Sequence, residues 1–243
     1  MMLWEELNWA EFEKLVPTKC DTVILPIGTL EAHGVSPLGT DNLIPVEIAH
    51  RIADDIKAII APIIPYGITR TLLAYPGSHS VSAETFERYI TEVMLSIADC
   101  KFKKMVVLNG HGGHLDQLGR AAREVWSAKK IKIAVVHWWM CCDDIVERIY
   151  GISGGHAATD ENAAIQAFRP DLIKKELYSD DMVYNQPPGF TVYPNPGTIL
   201  AYKDKGGFIN FDQKKAEDYF NAVVIRVKTH ILEIFNRWER LKD

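Results

Sequence analysis

Three short apolar runs constrain this chain most: Val23-Ile24-Leu25, Met105-Val106-Val107-Leu108 and Ile131 to Val136. Each is short enough to be a buried strand, and each gives way to a polar stretch. Helical periodicity fills the intervals. Pro45 to Ile56 carries an apolar stripe at Val46, Ile48, Ala49, Ile52, Ala53 and Ile56. After Ser82, a good N-cap with Glu84 in the first turn, the stripe is Phe86, Tyr89, Ile90, Val93, Met94 and Ile97. A helix from Asp116 through Leu118, Ala121, Ala122, Val125 and Trp126 separates the second run from the third. Strand, helix, strand, helix, strand predicts an α/β fold, three layers α/β/α around a mainly parallel central sheet. Ligands of such sheets collect beyond the carboxyl ends of the strands. The stretches 26–41, 109–115 and 137–139 would then meet at one edge.

Outside this frame, Leu3 to Leu15 has helical spacing and ends at Pro17, and Asp212 to Arg240 reads as a long closing helix. Ile59 to Ile64 is another apolar run, but Pro62 argues against a central strand. Ser153-Gly154-Gly155-His156 reads as a loop before a helix over Asp160 to Phe168, and 178–210, rich in proline and glycine, as a long functional loop.

The 243 residues are expected to form one domain, 1–243, since 47% are apolar and 24% charged, enough for a full core and against wholesale disorder. A net charge of −5 argues against a nucleic-acid or anionic-membrane partner. The four cysteines, Cys20, Cys100, Cys141 and Cys142, have neither metal-knuckle nor disulfide spacing. No apolar run approaches the ~20 residues of a membrane span. These features predict a reduced, cytoplasmic protein.

Chemistry concentrates in three stretches. In the first, Val23 to Asp41, Pro26 and Gly28 end the strand and a loop carries Glu31, His33 and Asp41. Glu31 and His33 are two apart, so an extended backbone points both side chains the same way. Carboxylates mixed with imidazole suit zinc, manganese or iron, although an acidic surface loop is the bland alternative. The second is Asn109-Gly110-His111-Gly112-Gly113-His114. Its glycines allow a sharp turn that either cradles an anion on backbone N–H groups or presents His111 as a metal ligand. No Gly-Lys-Ser/Thr follows and GxGxxG is absent, which weakens a nucleotide-binding reading. The third is Gly155 to Glu161, in which a glutamate opening a helix is more often dipole complementation than chemistry.

Taken together, Glu31-Ala32-His33-Gly34, Gly39-Thr40-Asp41, Asn109-Gly110-His111-Gly112-Gly113 and His156-Ala157-Ala158 with Glu161 resemble the creatininase family in order and approximate spacing. Pro76-Gly77-Ser78 resembles a further family segment, and the resemblance covers roughly residues 20–170. It implies a parallel sheet between helix layers, a homo-oligomer (commonly a hexamer), and two divalent metal ions per subunit. Glu31, His33, Asp41 and His111 look like metal ligands, with Asp41 the bridge. Glu161 looks like the remaining acidic ligand, because Gly113 stands where creatininase proper has a glutamate. His156 resembles the family's active-site histidine. The chain departs from the pattern in a shorter His33-to-Asp41 segment, in His114 at the place of an asparagine, and in Thr159 where many members have a glutamate.

The resemblance implies a metal-dependent hydrolase of a small cyclic or linear amide that uses a metal-bridging hydroxide. Family relatives that deformylate a formamidopyrimidine nucleotide, trim a peptide or open a keto-inositol ring are alternatives, as is a non-catalytic anion-binding module. Trp138, Trp139 and His114 are expected to line the substrate site. Arg70, Lys203 and Lys205 are weak candidates for an anionic group, His50 and His230 read as surface residues, and His79 stays undecided.

Overall fold

The computed structural model describes residues 1–203 and 206–241, so Lys205 lies outside the described residues. Its centre is a five-stranded, wholly parallel sheet. The strands are β1 (Met2–Leu3), β2 (Thr22–Ile27), β3 (Ala58–Ile60), β4 (Lys104–Asn109) and β5 (Lys132–His137), in the spatial order β1-β3-β2-β4-β5. Around them lie α1 (Trp9–Leu15), α2 (Thr40–Ile52), α3 (Ala83–Asp99), α4 (Leu115–Lys129), α5 (Asp143–Tyr150), α6 (Thr159–Phe168) and α7 (Gln213–Trp238).

Alternation along the strands divides the core into two. Ile24, Ile60, Val106 and Leu108 pack with α2, α5, α6 and α7 on one face, and Val23, Leu25, Ile59, Met105 and Val107 pack with α3 and α4 on the other. Strands apolar on both faces are what a sheet covered on both sides requires. The three-layer expectation holds.

Local differences have local causes. Leu3 does not begin a helix: it pairs with Ile60 as an edge strand, and the helix waits for Asn8, whose side chain accepts from the Ala10 and Glu11 amides in a capping box with Glu11. β3 sits between β1 and β2 because it ends before Pro62 and needs no N–H from that residue. Helix α2 starts at Thr40 rather than Pro45, which puts Asp41 in its first turn. The 178–210 segment is partly ordered into β7 (Val183–Asn185) and β8 (Ile199–Ala201). With β6 (Gly155–His156) they form a small sheet of order β6-β8-β7. Among the described residues, no helix is long and apolar enough to cross a membrane.

Candidate metal centre

The loops after β2 and β4, the first turn of α2, strand β6 and the first turn of α6 converge at the carboxyl edge of the sheet. The approach is close because glycine permits it. A Cβ at Gly28, just past β2, or at Gly110, just past β4, would collide with the carbonyl oxygen of Asp41. That carbonyl has no helical donor four residues on, since Pro45 has no N–H. Two glycines and one proline therefore seat the N-terminus of α2 against the ends of both strands. The helix dipole there favours the Asp41 carboxylate.

Asp41 stands between two imidazoles. Its Oδ2 lies 2.7 Å from His111 Nδ1, and its Oδ1 lies 3.0 Å from His33 Nε2. Glu31 Oε1 completes one group, 3.2 Å from His111 Nδ1, and Glu161 Oε2 the other, 3.5 Å from His33 Nε2. Glu31, Asp41 and His111 thus form one potential cation site, and His33, Asp41 and Glu161 a second that shares Asp41.

Backbone carbonyls fix which ring nitrogens face inward. His33 Nδ1 donates to the Glu31 carbonyl at 2.9 Å, His111 Nε2 to the Ile68 carbonyl at 2.7 Å, and His156 Nε2 to the Ala32 carbonyl at 2.8 Å. Each ring then turns its other nitrogen toward the carboxylates, the nitrogen that a metal can take once the ring is neutral, as in metal-ligating histidines whose far N–H is held by a carbonyl. His33 Nε2 and Asp41 Oδ2 are buried and have no hydrogen-bond partner. His33 Nε2 faces Asp41 Oδ1 and Asp41 Oδ2 faces His111 Nδ1, so each orphaned acceptor lies in one of the two groups and carries a desolvation cost that a cation there would remove. The donor set, three carboxylates with imidazoles, suits a divalent transition ion.

The charges support the fit. Burial disfavours a charged His33 ring, yet Asp41, Glu161 and Glu31 outweigh it and lift its pKa to about 10. Burial likewise opposes protonation of His111, and Glu31 and Asp41 overcome it, raising its pKa well above the ordinary value. Asp41 is lowered despite its burial by the same two rings. Burial, with Asp41 and Asp160 adding, raises Glu161 well above the usual carboxylate range. Without a cation, protons occupy the places a metal would take. His156 differs: burial and the neighbouring His33 ring push it down to about 4.

The cluster forms one wall of a cavity of about 530 Å³, also lined by Arg70, Trp139, Asp160, Tyr193, Tyr202 and Lys203. Trp139 is half-buried in this wall. Two other expectations need correction. Trp138, in the turn after β5, is fully buried in the core with residues of α7, where its large ring is removed from water. His114 is also fully buried, its ring stacked on Phe86 at 4.2 Å. Neither reaches the cavity. Lys203 lines it but pairs with Glu147 at 3.0 Å. Exposed His79 meets Tyr66 edge-on and does not line it, and His230 is exposed on α7. His50 is partly buried.

Sequence reasoning missed Asp160 and Tyr202. The Asp160 carboxyl, raised to about 6 by burial, accepts the Gly155 amide and lines the cavity. Its position between two implied site residues, His156 and Glu161, was a usable signal. Tyr202 lies in the irregular 178–210 segment, where no period marks its direction.

A family model described as creatininase, creatinine amidohydrolase, matches residues 5–224. The chain belongs to the creatininase family. It is a hydrolase acting on C–N bonds, and the match runs well past residue 170 into α7. The creatinine amidohydrolase of Pseudomonas putida is 26% identical over 234 residues, covering 84% of this chain and 90% of that protein. A mycofactocin precursor peptide peptidase of Mycobacterium ulcerans is 25% identical over 176 residues, covering 68% and 65%. In fold, a creatininase point mutant of Zn-Zn type superposes with a TM-score of 0.80 at 23% identity, covering 96% of this chain and 98% of that one.

Proposed function

We propose that this creatininase-family chain hydrolyses a small cyclic or linear amide with two divalent ions, zinc, manganese or iron, that share Asp41. The observation that carries the reading is the placement of Asp41, whose two carboxylate oxygens each face a different inward-turned imidazole nitrogen. Glu31, Asp41 and His111 would hold one ion, and His33, Asp41 and Glu161 the other. Bound there, divalent ions polarise the scissile carbonyl and lower the pKa of water, supplying a nucleophile near neutral pH.

The chain's own groups do the rest. His156 donates Nε2–H to the Ala32 carbonyl, so its free Nδ1, 3.4 Å from Glu31 Oε1, is a proton acceptor. It takes the proton of the attacking water at Nδ1 and passes it to the leaving nitrogen. Burial and the His33 ring hold His156 neutral at physiological pH, the form an acceptor needs. Trp139, Tyr193 and Tyr202 line the cavity and offer aromatic surface to a substrate. Creatinine itself is not favoured, because the His33-to-Asp41 segment departs from the family pattern. A cytoplasmic homo-oligomer, a hexamer by family resemblance, completes the proposal.

Metal analysis of purified wild type and Asp41→Ala tests it. We expect about two equivalents of divalent metal per chain in wild type, and in the mutant loss of both, with turnover of a cyclic-amide panel reduced by about three orders of magnitude or more. Wild-type metal content in Asp41→Ala, or no uptake by wild type on reconstitution, would overturn the reading and favour an anion-binding module.

A further inference from the structure

The NGHGGH turn contains a closed hydrogen-bond circuit that the proposed chemistry does not use. The Asn109 side chain is fully buried at the end of β4 and makes four contacts. Its Oδ1 accepts from the His111 amide at 3.1 Å and from His114 Nδ1 at 3.2 Å. Its Nδ2 donates to the His111 carbonyl at 2.7 Å and to His137 Nδ1 at 3.0 Å. The other nitrogen of His114, Nε2, accepts from the Ile68 amide at 3.1 Å, while the carbonyl of that same Ile68 accepts from His111 Nε2 at 2.7 Å.

Only one assignment of hydrogens satisfies this set. The Ile68 N–H can only donate, so His114 Nε2 is bare and Nδ1 carries the hydrogen, which suits Asn109 Oδ1. The Ile68 carbonyl can only accept, so His111 carries a hydrogen on Nε2, and Nδ1, aimed at Asp41 and Glu31, is the nitrogen left to bind a metal. Two glycines keep the circuit closed. A Cβ at Gly67 would collide with His114 Nε2, and one at Gly113 with the Ile68 carbonyl and His111 Nε2.

We infer that His114 is a positioning residue for His111. By bridging Asn109 and the Ile68 amide it anchors the Ile68 carbonyl, and that carbonyl holds the His111 ring with Nδ1 aimed into the cluster. Its complete burial and its stacking on Phe86 leave it no route to substrate. The inference rests on the binuclear reading above, because His111 must be a ligand for its aim to matter.

Zinc alone is the probe, titrated into the metal-free full-length chain against a competing chelator. Three proteins separate the possibilities. His114→Leu keeps apolar packing against Phe86 and removes both nitrogens. His114→Gln places an amide oxygen near the former Nε2 and keeps the acceptor for the Ile68 amide. We expect His114→Leu to weaken one of two zinc equivalents by about ten- to a hundredfold, the usual cost of a lost outer-shell partner, with the second equivalent little changed. His114→Gln should stay within about threefold of wild type, which loss of packing alone would not allow. Equal losses in Leu and Gln, or wild-type affinity in Leu, would overturn the inference. Should His114→Leu not fold, ¹⁵N spectra of zinc-loaded wild type decide: metal on His111 Nδ1 with hydrogen on Nε2 supports the circuit, and metal on Nε2 overturns it. Absence of any zinc binding by wild type would instead defeat the binuclear reading itself.

Discussion

The floor and the rim of the cavity are built in opposite ways. The floor, from Glu31 to Glu161, hangs on strand ends and helix first turns, and its side chains are almost wholly buried. The rim comes from irregular segments, with Tyr193 and Tyr202 more than half exposed and Arg70 open to solvent. Direct ties between the two are few. One is the pairing of β6 with β8, which sets His156 against Leu200. Within the rim itself, Asn195 donates to Thr71 Oγ1 at 2.7 Å while its carbonyl accepts from the Tyr75 hydroxyl at 2.9 Å, joining two rim segments to each other. A floor fixed by backbone geometry suits chemistry that tolerates little displacement. A rim of adaptable side chains suits recognition, and is where members of one family can differ in substrate.

The sharpest way to break this contrast is to disturb the floor through its backbone. Gly110 and Gly112 belong to the same turn, but a Cβ at Gly110 meets the Asp41 carbonyl and Pro45, while at Gly112 it meets nothing within 4 Å. Gly110→Ala should therefore cost about 1–3 kcal/mol in denaturant unfolding, as overpacking does, and lose metal as α2 is pushed off the strand ends. Gly112→Ala should stay within about 0.5 kcal/mol of wild type and keep its metal. Equal behaviour of the two variants would mean that the turn is not seated as described.

Legibility in the sequence follows the same division. β2, β4, β5 and the helices between them were readable because their period was strong and their caps, such as Ser82, were chemically distinct. The convergence of the floor residues was suggested by carboxylates and imidazoles standing in short, glycine-bearing stretches. The start of α2 was misjudged because Pro45 looks like a first turn, whereas here it lies deeper and frees the Asp41 carbonyl. Trp138 and Trp139 were indistinguishable by type, and only the turn they form after β5 separates core from cavity. His114 seemed a substrate residue because both its hydrogen-bond partners, Asn109 and the Ile68 amide, become its neighbours only on folding. The rim carried no periodic signal at all.

Protons sharpen the account of the floor. In the metal-free protein, His33 has a pKa near 10 and His111 is also raised well above its ordinary value, so both hold protons at neutral pH. A metal needs the lone pairs that such protons occupy, so loading both sites near pH 7 should release protons from the two rings, with Glu161, itself raised, adding to them. Calorimetric titration in buffers of different ionisation enthalpy measures this directly. Affinity should rise with pH, roughly tenfold per unit for each proton displaced, and flatten for the His33 site above about 10. The sign for stability is opposite. A raised His33 pKa stabilises the metal-free fold fully below its ordinary value of 6.5, and that contribution is lost as pH climbs through about 10. Chelated protein should thus lose stability in alkali where loaded protein does not. Metal uptake without proton release would contradict the charge balance described for the cluster.

The smallest effect belongs to the rim, and it bears on substrate choice. Of the two basic residues described in the cavity lining, Lys203 is already held by Glu147 at 3.0 Å and Asp143 at 3.7 Å, whereas Arg70 has no ion-pair partner among the described residues. An arginine free of acids at the mouth of the cavity is placed to meet a negatively charged part of a substrate. Arg70→Ala should raise KM about three- to tenfold for amides that carry a carboxylate or phosphate, as expected for an exposed charge contact worth about 1 kcal/mol. Neutral amides should be affected within twofold, kcat should not change for either, and added salt should shrink the difference. Equal losses for charged and neutral substrates would assign Arg70 to shaping the loop, and would leave the choice of substrate to the aromatic rim formed by Trp139, Tyr193 and Tyr202.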